Sequence, residues 1–198
     1  MAAPSPEPTS TPLPGPDPDT QLMGRLAGGD MTALGELVQR HQQTVRLLAY
    51  RMTNRWDVAD DLAQEAFLRI YRAAPRYQPT AQFTTWLYRI VANLCLDHAR
   101  RRHPLSLPED SSGLVDNSTA RDPQALDALL AREQAAAVQA AVARLPQRQR
   151  LALVLHRFHD LDHRQISQIT GWSRKATESL LVRAYQQLRR ELALWNPP

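Results

Sequence analysis

Several large classes of protein depend on residues that this chain has in short supply. Of its 198 residues only one, Cys95, is a cysteine. That excludes a disulfide framework and any cysteine-rich zinc module, and it suits a reducing cytoplasm. No run approaches about eighteen uninterrupted apolar residues, so no segment reads as a bilayer-spanning helix and no membrane insertion is expected. The N-terminus lacks the basic start and apolar run of a secretory signal. The seven glycines form no phosphate-cradling loop, and neither Gly-x-Ser-x-Gly nor His-Glu-x-x-His occurs. No catalytic residues, cofactor or metal site are therefore expected, and the chain reads as non-enzymatic. Strand-like alternation is missing as well, which leaves helices.

What is present is charge, unevenly spread. The formal net charge of +4 divides along the chain. Residues 1–20 hold three acids and no base, and 21–102 hold twelve arginines against seven acids. Residues 103–133 hold two bases against six acids, and 134–198 hold ten bases against four acids. Two basic segments separated by an acidic one fit an anionic polymer contacted at two places, although ordinary surface scatter gives similar counts.

The composition predicts an all-α protein of two small helical domains joined by a flexible linker. Residues 1–20 are Pro-rich and read as a disordered tail. Residues 21–102 form a first domain of three helices. One begins after Asp30 and carries Leu34, Leu37, Val38, His41, Val45, Leu48, Ala49 and Met52 on one face. The next starts at Asp57 and buries Val58, Leu62, Ala66, Phe67 and Ile70. The third is capped by Thr84 or Thr85 and buries Leu87, Ile90, Val91 and Leu94. Residues 103–122 read as a linker. Residues 123–198 form a second domain, whose opening helix has Asp122 as cap and Pro123 at its first position. Asp162 and Ser173 are further N-caps with Gly171 between them, so 162–190 reads as a helix-turn-helix whose second helix turns Thr177, Leu181, Ala184, Leu188 and Leu192 inward.

Three constellations invite function. In the helix-turn-helix, Arg174, Lys175, Glu178, Ser179, Val182 and Arg183 face outward from the second helix, where a major groove is read. The same helical shape also occurs in bundles that bind no DNA. On the third helix, Arg89, Asn93, Asp97 and Arg100 share one side, with Arg101 following and Phe83 and Trp86 upstream. Rings beside arginines suit the stacking of single-stranded bases, and they equally suit the sealing of a core. On the second helix, Asp61, Gln64 and Glu65 share an exposed face. A docking surface for a basic partner ranks above a magnesium site, because Gln64 stands where a further carboxylate is needed and no facing acidic helix exists. His156, His159 and His163 have zinc-like spacing but uncertain mutual geometry and no nearby cysteine.

Taken in order, Asp57-Val-Ala-Asp-Asp-Leu-Ala-Gln-Glu-Ala-Phe67, Phe83-Thr-Thr-Trp-Leu-Tyr-Arg-Ile-Val-Ala-Asn93 with Asp97-His-Ala-Arg-Arg-Arg102, and Leu145-Pro146 through Arg183-Ala184 resemble a bacterial RNA polymerase sigma factor. The likeness is to the extracytoplasmic-function (ECF) group of the sigma-70 family and covers most of 21–192. It implies a promoter-melting domain (region 2-like) and an upstream-element domain (region 4-like). Asp61, Gln64 and Glu65 would dock on the β′ clamp helices of core RNA polymerase. Phe83, Trp86, Arg89, Asn93, Asp97, Arg100 and Arg101 would recognise and melt the −10 element of promoter DNA. Residues near Leu145–Phe158 would sit against the β flap, and Arg174, Lys175, Glu178, Ser179 and Arg183 would read the −35 element. An anti-sigma partner is compatible with the acidic and apolar faces. The chain departs from the family at Gln165-Ile166-Ser167 and at Lys175-Ala-Thr-Glu-Ser-Leu180. There Glu178 replaces a base; a carboxylate repels phosphate yet accepts from cytosine N4. Rival readings are a stand-alone helix-turn-helix regulator and a helical metal enzyme using Asp57, Asp60 and Asp61.

Overall fold

The computed structural model describes residues 17–102 and 123–193, with the side chains of 102 and 123–133 left aside. The described residues contain α-helices and a single 3-10 turn, and no strands. The helices are α1 (Pro18–Ala27), α2 (Met31–Thr53), α3 (Trp56–Ala73), α4 (Phe83–Arg102), α5 (Pro123–Arg144), α6 (Gln147–Phe158), α7 (His163–Thr170) and α8 (Arg174–Ala193).

The periodic faces fold as the spacing predicts. Leu37, Val45, Leu48, Ala49 and Met52 of α2 are buried, as are Leu62, Ala66, Phe67 and Ile70 of α3 and Leu87, Val91 and Leu94 of α4. Three helices each presenting an apolar stripe bury it best by packing stripe to stripe, and α2 packs on both α3 and α4. Asp30 caps α2, its carboxylate accepting from the Thr32 amide at 2.9 Å. Asp30 also bonds Thr32 Oγ1 and Arg25 and is held at about 2 by them.

Three features differ from the sequence reading. Residues 18–20, assigned to the tail, already belong to α1: Asp17 accepts from the Asp19 amide, and Pro18 occupies the first turn, where its missing N–H costs nothing. The buried carboxylate of Asp19 then receives Arg40 at 2.9 Å and His41 at 2.7 Å, which ties α1 to α2. Helix α4 starts at Phe83, before Thr84 and Thr85, because Asp17 reaches across to accept from the Phe83 amide at 3.2 Å. A carboxylate 66 residues away thus does the capping that a local threonine was expected to do. Helix α3 likewise starts one residue earlier than read, at Trp56, with Asp57 in its first turn. The cap assigned to Asp122, and the linker 103–122, lie outside the described residues.

The two lobes share one continuous apolar core. Leu151, Val154 and Leu155 of α6 and Ile166 and Ile169 of α7 join the cluster formed by α1 to α4. Among the described residues, Val142, Leu145, Leu153 and Ala184 form a separate, smaller cluster within the second lobe. Polar links cross the same boundary. The Arg150 guanidinium donates to the Met52 carbonyl at 2.7 Å, and Gln139 donates to Tyr50 and, at 2.7 Å, to Asn54. Tyr88 is hydrogen-bonded to His159 at 3.0 Å, and Arg51 lies 4.3 Å from the Phe158 ring centroid.

Candidate nucleic-acid and partner interfaces

The acidic stretch of α3 separates into paired and unpaired carboxylates. Asp57 pairs with Arg55, and Asp60 with Arg46 of α2 at 2.5 Å. These two carboxylates therefore turn toward different arginines and do not converge with Asp61 on one point. Among the described residues no group of three or more His, Cys, Asp or Glu side chains is placed to hold a metal ion. Asp61 and Gln64 are exposed, and Glu65 is half-buried against Arg69 at 2.8 Å. The Arg69 bond holds the Glu65 carboxyl below its usual range against the opposing effect of burial, with smaller pulls from Arg72 and Arg101. Leu68, which sequence reasoning missed, and Tyr71, which it grouped with the aromatics upstream of the third helix's polar face, are also exposed and extend this face by one and two turns. Their signal was available: both fall off the apolar stripe of α3 although they are large and apolar. Beside them a cleft of about 280 Å³ runs between α2 and α3, lined by Val38, Gln42, Arg46, Asp60, Ala63, Gln64 and Phe67. The face can grip a helix that brings cations to its rim and apolar groups to its centre.

Helix α4 supplies the second surface. Phe83 is fully buried, with its ring 5.3 Å from that of His41 and 5.9 Å from that of Trp86. It is thus a support beneath Trp86 and not itself a contact surface. The reason is its position at the first residue of α4, where the Asp17 cap draws it inward. Trp86 is half-buried between Phe83 and Tyr77, the latter 5.0 Å away by centroid. Arg89, Asn93, Arg100 and Arg101 are exposed, and Asp97 is half-buried and paired with Arg100. Asn93, Asp97 and Arg100 line a cleft of about 330 Å³ whose other wall is Gln147 and Arg148 at the start of α6. Arg148 joins this site through tertiary packing alone, so no local pattern announced it. Arg89 points elsewhere: its guanidinium donates to the Gln168 carbonyl of α7 at 2.8 Å.

The third surface is the helix-turn-helix, and here the local signals hold. Asp162 forms a reciprocal capping box with Gln165, Gly171 takes the left-handed conformation at φ 74° that ends α7, and Ser173 Oγ accepts from the Ala176 amide at 3.1 Å. Thr177, Leu181 and Ala184 are buried, with Thr177 Oγ1 3.3 Å from Ser167 of α7. This sets the rotation of α8. Arg174, Lys175, Glu178 and Arg183 are exposed, Ser179 is half-buried, and Val182 and Tyr185 add apolar exposure. In the preceding segment, Leu145 and Leu151–Leu155 are buried, and Gln147, Arg148, Arg157 and Phe158 face outward. Any partner meeting 145–158 in this arrangement would touch Pro146 and those four side chains and not the leucines.

Residues 37–104 match the family Sigma-70 region 2, and residues 135–188 match Sigma-70, region 4. The ECF RNA polymerase sigma factor SigM of Mycobacterium tuberculosis is 34% identical over 89% of this chain and 85% of its own length. The chain belongs to the ECF group of RNA polymerase sigma factors. Another relative of this sigma factor, SigE of Mycolicibacterium smegmatis, is 38% identical over 84% of the chain, which spans 65% of SigE. Among solved structures, CnrH in complex with the cytosolic domain of CnrY superposes with a TM-score of 0.67 at 25% identity, covering 90% of this sigma factor and 99% of CnrH. RpoE of Bartonella quintana, crystallised with the anti-sigma factor NepR, has the same fold at a TM-score of 0.61 and 18% identity, covering 80% and 95%. Sigma factors are transcription-initiation factors and not enzymes. No helix among the described residues of this one is long and apolar enough to cross a membrane.

Proposed function

We propose that this sigma factor works as a dissociable promoter-specificity subunit in the cytoplasm, using the three surfaces for three tasks. The α3 face of Asp61, Gln64, Glu65, Leu68 and Tyr71 docks on the β′ clamp helices of core polymerase. The α4 surface recognises and opens the −10 element: Trp86 offers a ring to an unstacked base, Asn93 and Asp97 offer groups that donate and accept, and Arg100 and Arg101 hold phosphates. Capture of an extruded base offsets the few kcal/mol that unstacking costs. Helix α8 reads the −35 element, with Arg174 and Arg183 set to hold phosphates on either side of the groove. For Arg89 to reach DNA it exchanges the Gln168 carbonyl for a phosphate or base. An anti-sigma protein is a further partner, supported by the complexes in which CnrH and RpoE were solved.

The observation that carries this reading is that an exposed acidic and apolar face on α3 coexists with two arginine-bearing surfaces. A simple DNA-binding regulator has no use for the first. Replacing Gln64 and Glu65 together by alanine is expected to weaken core-polymerase binding by about tenfold or more, since one or two central contacts dominate such interfaces. Circular dichroism should be unchanged, because Gln64 is exposed and Glu65 gives up only an i,i+4 ion pair with Arg69 at the helix surface. Undiminished co-purification with core polymerase would overturn the docking assignment. Trp86→Ala should leave that binding intact while suppressing permanganate reactivity of thymines in the −10 region. Normal reactivity would show that the ring only completes the core.

A further inference from the structure

Helix α8 carries a carboxylate in the middle of its exposed basic surface, and the carboxylate is uncommitted. Because Thr177, Leu181 and Ala184 are buried, the rotation of the helix is fixed, and Lys175, Glu178 and Val182 lie together on the outward side at steps of three and four. Glu178 is exposed, and among the described residues it makes no hydrogen bond or ion pair. Arg174, one turn earlier, could neutralise it by the usual spacing of four on a helix, yet the two are not paired.

On a helix that enters a major groove, this position has few acceptable neighbours. Phosphates repel a carboxylate, so Glu178 cannot serve as a backbone contact. Guanine presents two acceptors, O6 and N7, and thymine presents O4 and a methyl group. Adenine offers the N6 amine, but its N7 acceptor lies beside it. Cytosine alone presents an amine donor, N4, with no acceptor on its own major-groove edge. Resting on the reading of α8 as the −35 helix, we propose that Glu178 is a specificity-determining residue that accepts a hydrogen bond from the N4 amine of a cytosine in the upstream element. Lys175 stands one turn away to donate to a guanine, and the exposed methyls of Val182 on the next turn suit a thymine methyl. The carboxylate raises specificity by exclusion as well as attraction, since guanine and thymine leave it desolvated and unpaired and adenine sets its N7 acceptor against it.

The test uses full-length sigma factor reconstituted with core polymerase and a promoter library randomised across the upstream element, with transcripts sequenced. For the wild type, one position should favour cytosine over each other base by about tenfold, the range expected of a good base contact. Glu178→Ala should flatten that position to within about twofold while preferences elsewhere persist. Glu178→Gln should move it toward adenine, because an amide pairs with N6 and N7 together. Absence of a cytosine-preferring position, or its survival in Glu178→Ala, overturns the proposal. Arg174→Ala separates this from failure of the underlying reading, since loss of a phosphate contact lowers transcription from all upstream sequences alike. If output never depends on the upstream element and Arg174→Ala changes nothing, the −35 reading fails and the proposal with it. If that dependence is present and Glu178 variants leave it untouched, only the proposal fails.

Discussion

Replacing Arg150 by alanine is expected to destabilise the fold by about 3–5 kcal/mol, the cost of leaving several buried polar groups without partners. The guanidinium is buried and donates to four main-chain carbonyls. In the second lobe these belong to Val142 at 3.1 Å, Ala143, and Leu145 at 3.3 Å; in the first lobe the acceptor is Met52 at 2.7 Å. Val142 and Ala143 lie in the last turn of α5 and Met52 in the last turn of α2, where carbonyls have no partner within their own helix. One planar fork thus terminates two helices from different lobes. Burial pulls its pKa down to about 10, so the group remains a cation at neutral pH. The carbonyl ends of both helices favour that positive charge. Arg150→Lys should recover only part of the loss, because a single ammonium cannot reach acceptors spread over two helix ends. Urea denaturation followed by circular dichroism checks this. A loss below about 1 kcal/mol for Arg150→Ala would mean that water satisfies the carbonyls and that the arginine is dispensable.

Arg150 also shows where legibility in the sequence stops. It stands in a run with Arg148 and Arg157 and has no local feature that separates a buried arginine from its exposed neighbours. Its partners lie on other elements, and for Met52 almost a hundred residues away. The same holds for Asp17 capping α4, for Gln139 meeting Tyr50 and Asn54, and for Arg148 closing the cleft beside Asn93. By contrast, Asp30, Asp162, Gly171 and Ser173 act within a few residues of themselves, and their caps were readable at once. Stripes at three- and four-residue spacing made the inward faces of α2, α3, α4 and α8 readable for the same reason. Helix α1 was readable but missed: Asp17 followed by Pro18 is a helix start, hidden by the prolines before it. Of the candidate site, exposure of Asp61, Gln64, Arg100 and Glu178 followed from periodicity. The inward turn of Phe83 and the engagement of Arg89 by Gln168 required the tertiary fold. The histidines at 156, 159 and 163 drew attention as metal ligands, yet His159 bonds Tyr88 and His156 lies 2.9 Å from the Leu161 carbonyl.

Acidification from pH 6.5 to pH 4 is expected to loosen the contact between the lobes, and His159 is the group responsible. It sits after α6 at the boundary, its Nδ1 3.0 Å from the Tyr88 hydroxyl of α4 and its ring packed edge-on to Tyr88 at 5.1 Å. Its Nε2 is buried without a hydrogen-bond partner. Burial, and to a lesser degree the nearby Arg51 guanidinium, hold the imidazole at about 4, while Asp160 pulls the other way. Once the lobes part, His159 returns to the ordinary value near 6.5. Above pH 6.5 the ring is neutral in both states, and closure loses nothing. Between 6.5 and 4 the parted state takes up a proton that the closed state refuses, so the closed state loses up to about 3 kcal/mol. Below 4 both states are protonated, and this residue contributes no further change. The carboxylates of Asp57 and Glu65 are held below their ordinary values by the hydrogen bonds from Arg55 and Arg69, which shifts their titration to the acid side. Energy transfer between dyes attached at exposed positions of α3 and α8 would follow the separation. The wild-type signal should fall across pH 6.5 to 4, whereas His159→Phe, which keeps a ring against Tyr88 but cannot titrate, should give a flat profile there. Identical profiles would assign the acid sensitivity to other groups. A flat variant would make the neutral imidazole the condition for the shared core that joins Leu151, Val154 and Leu155 to the first lobe.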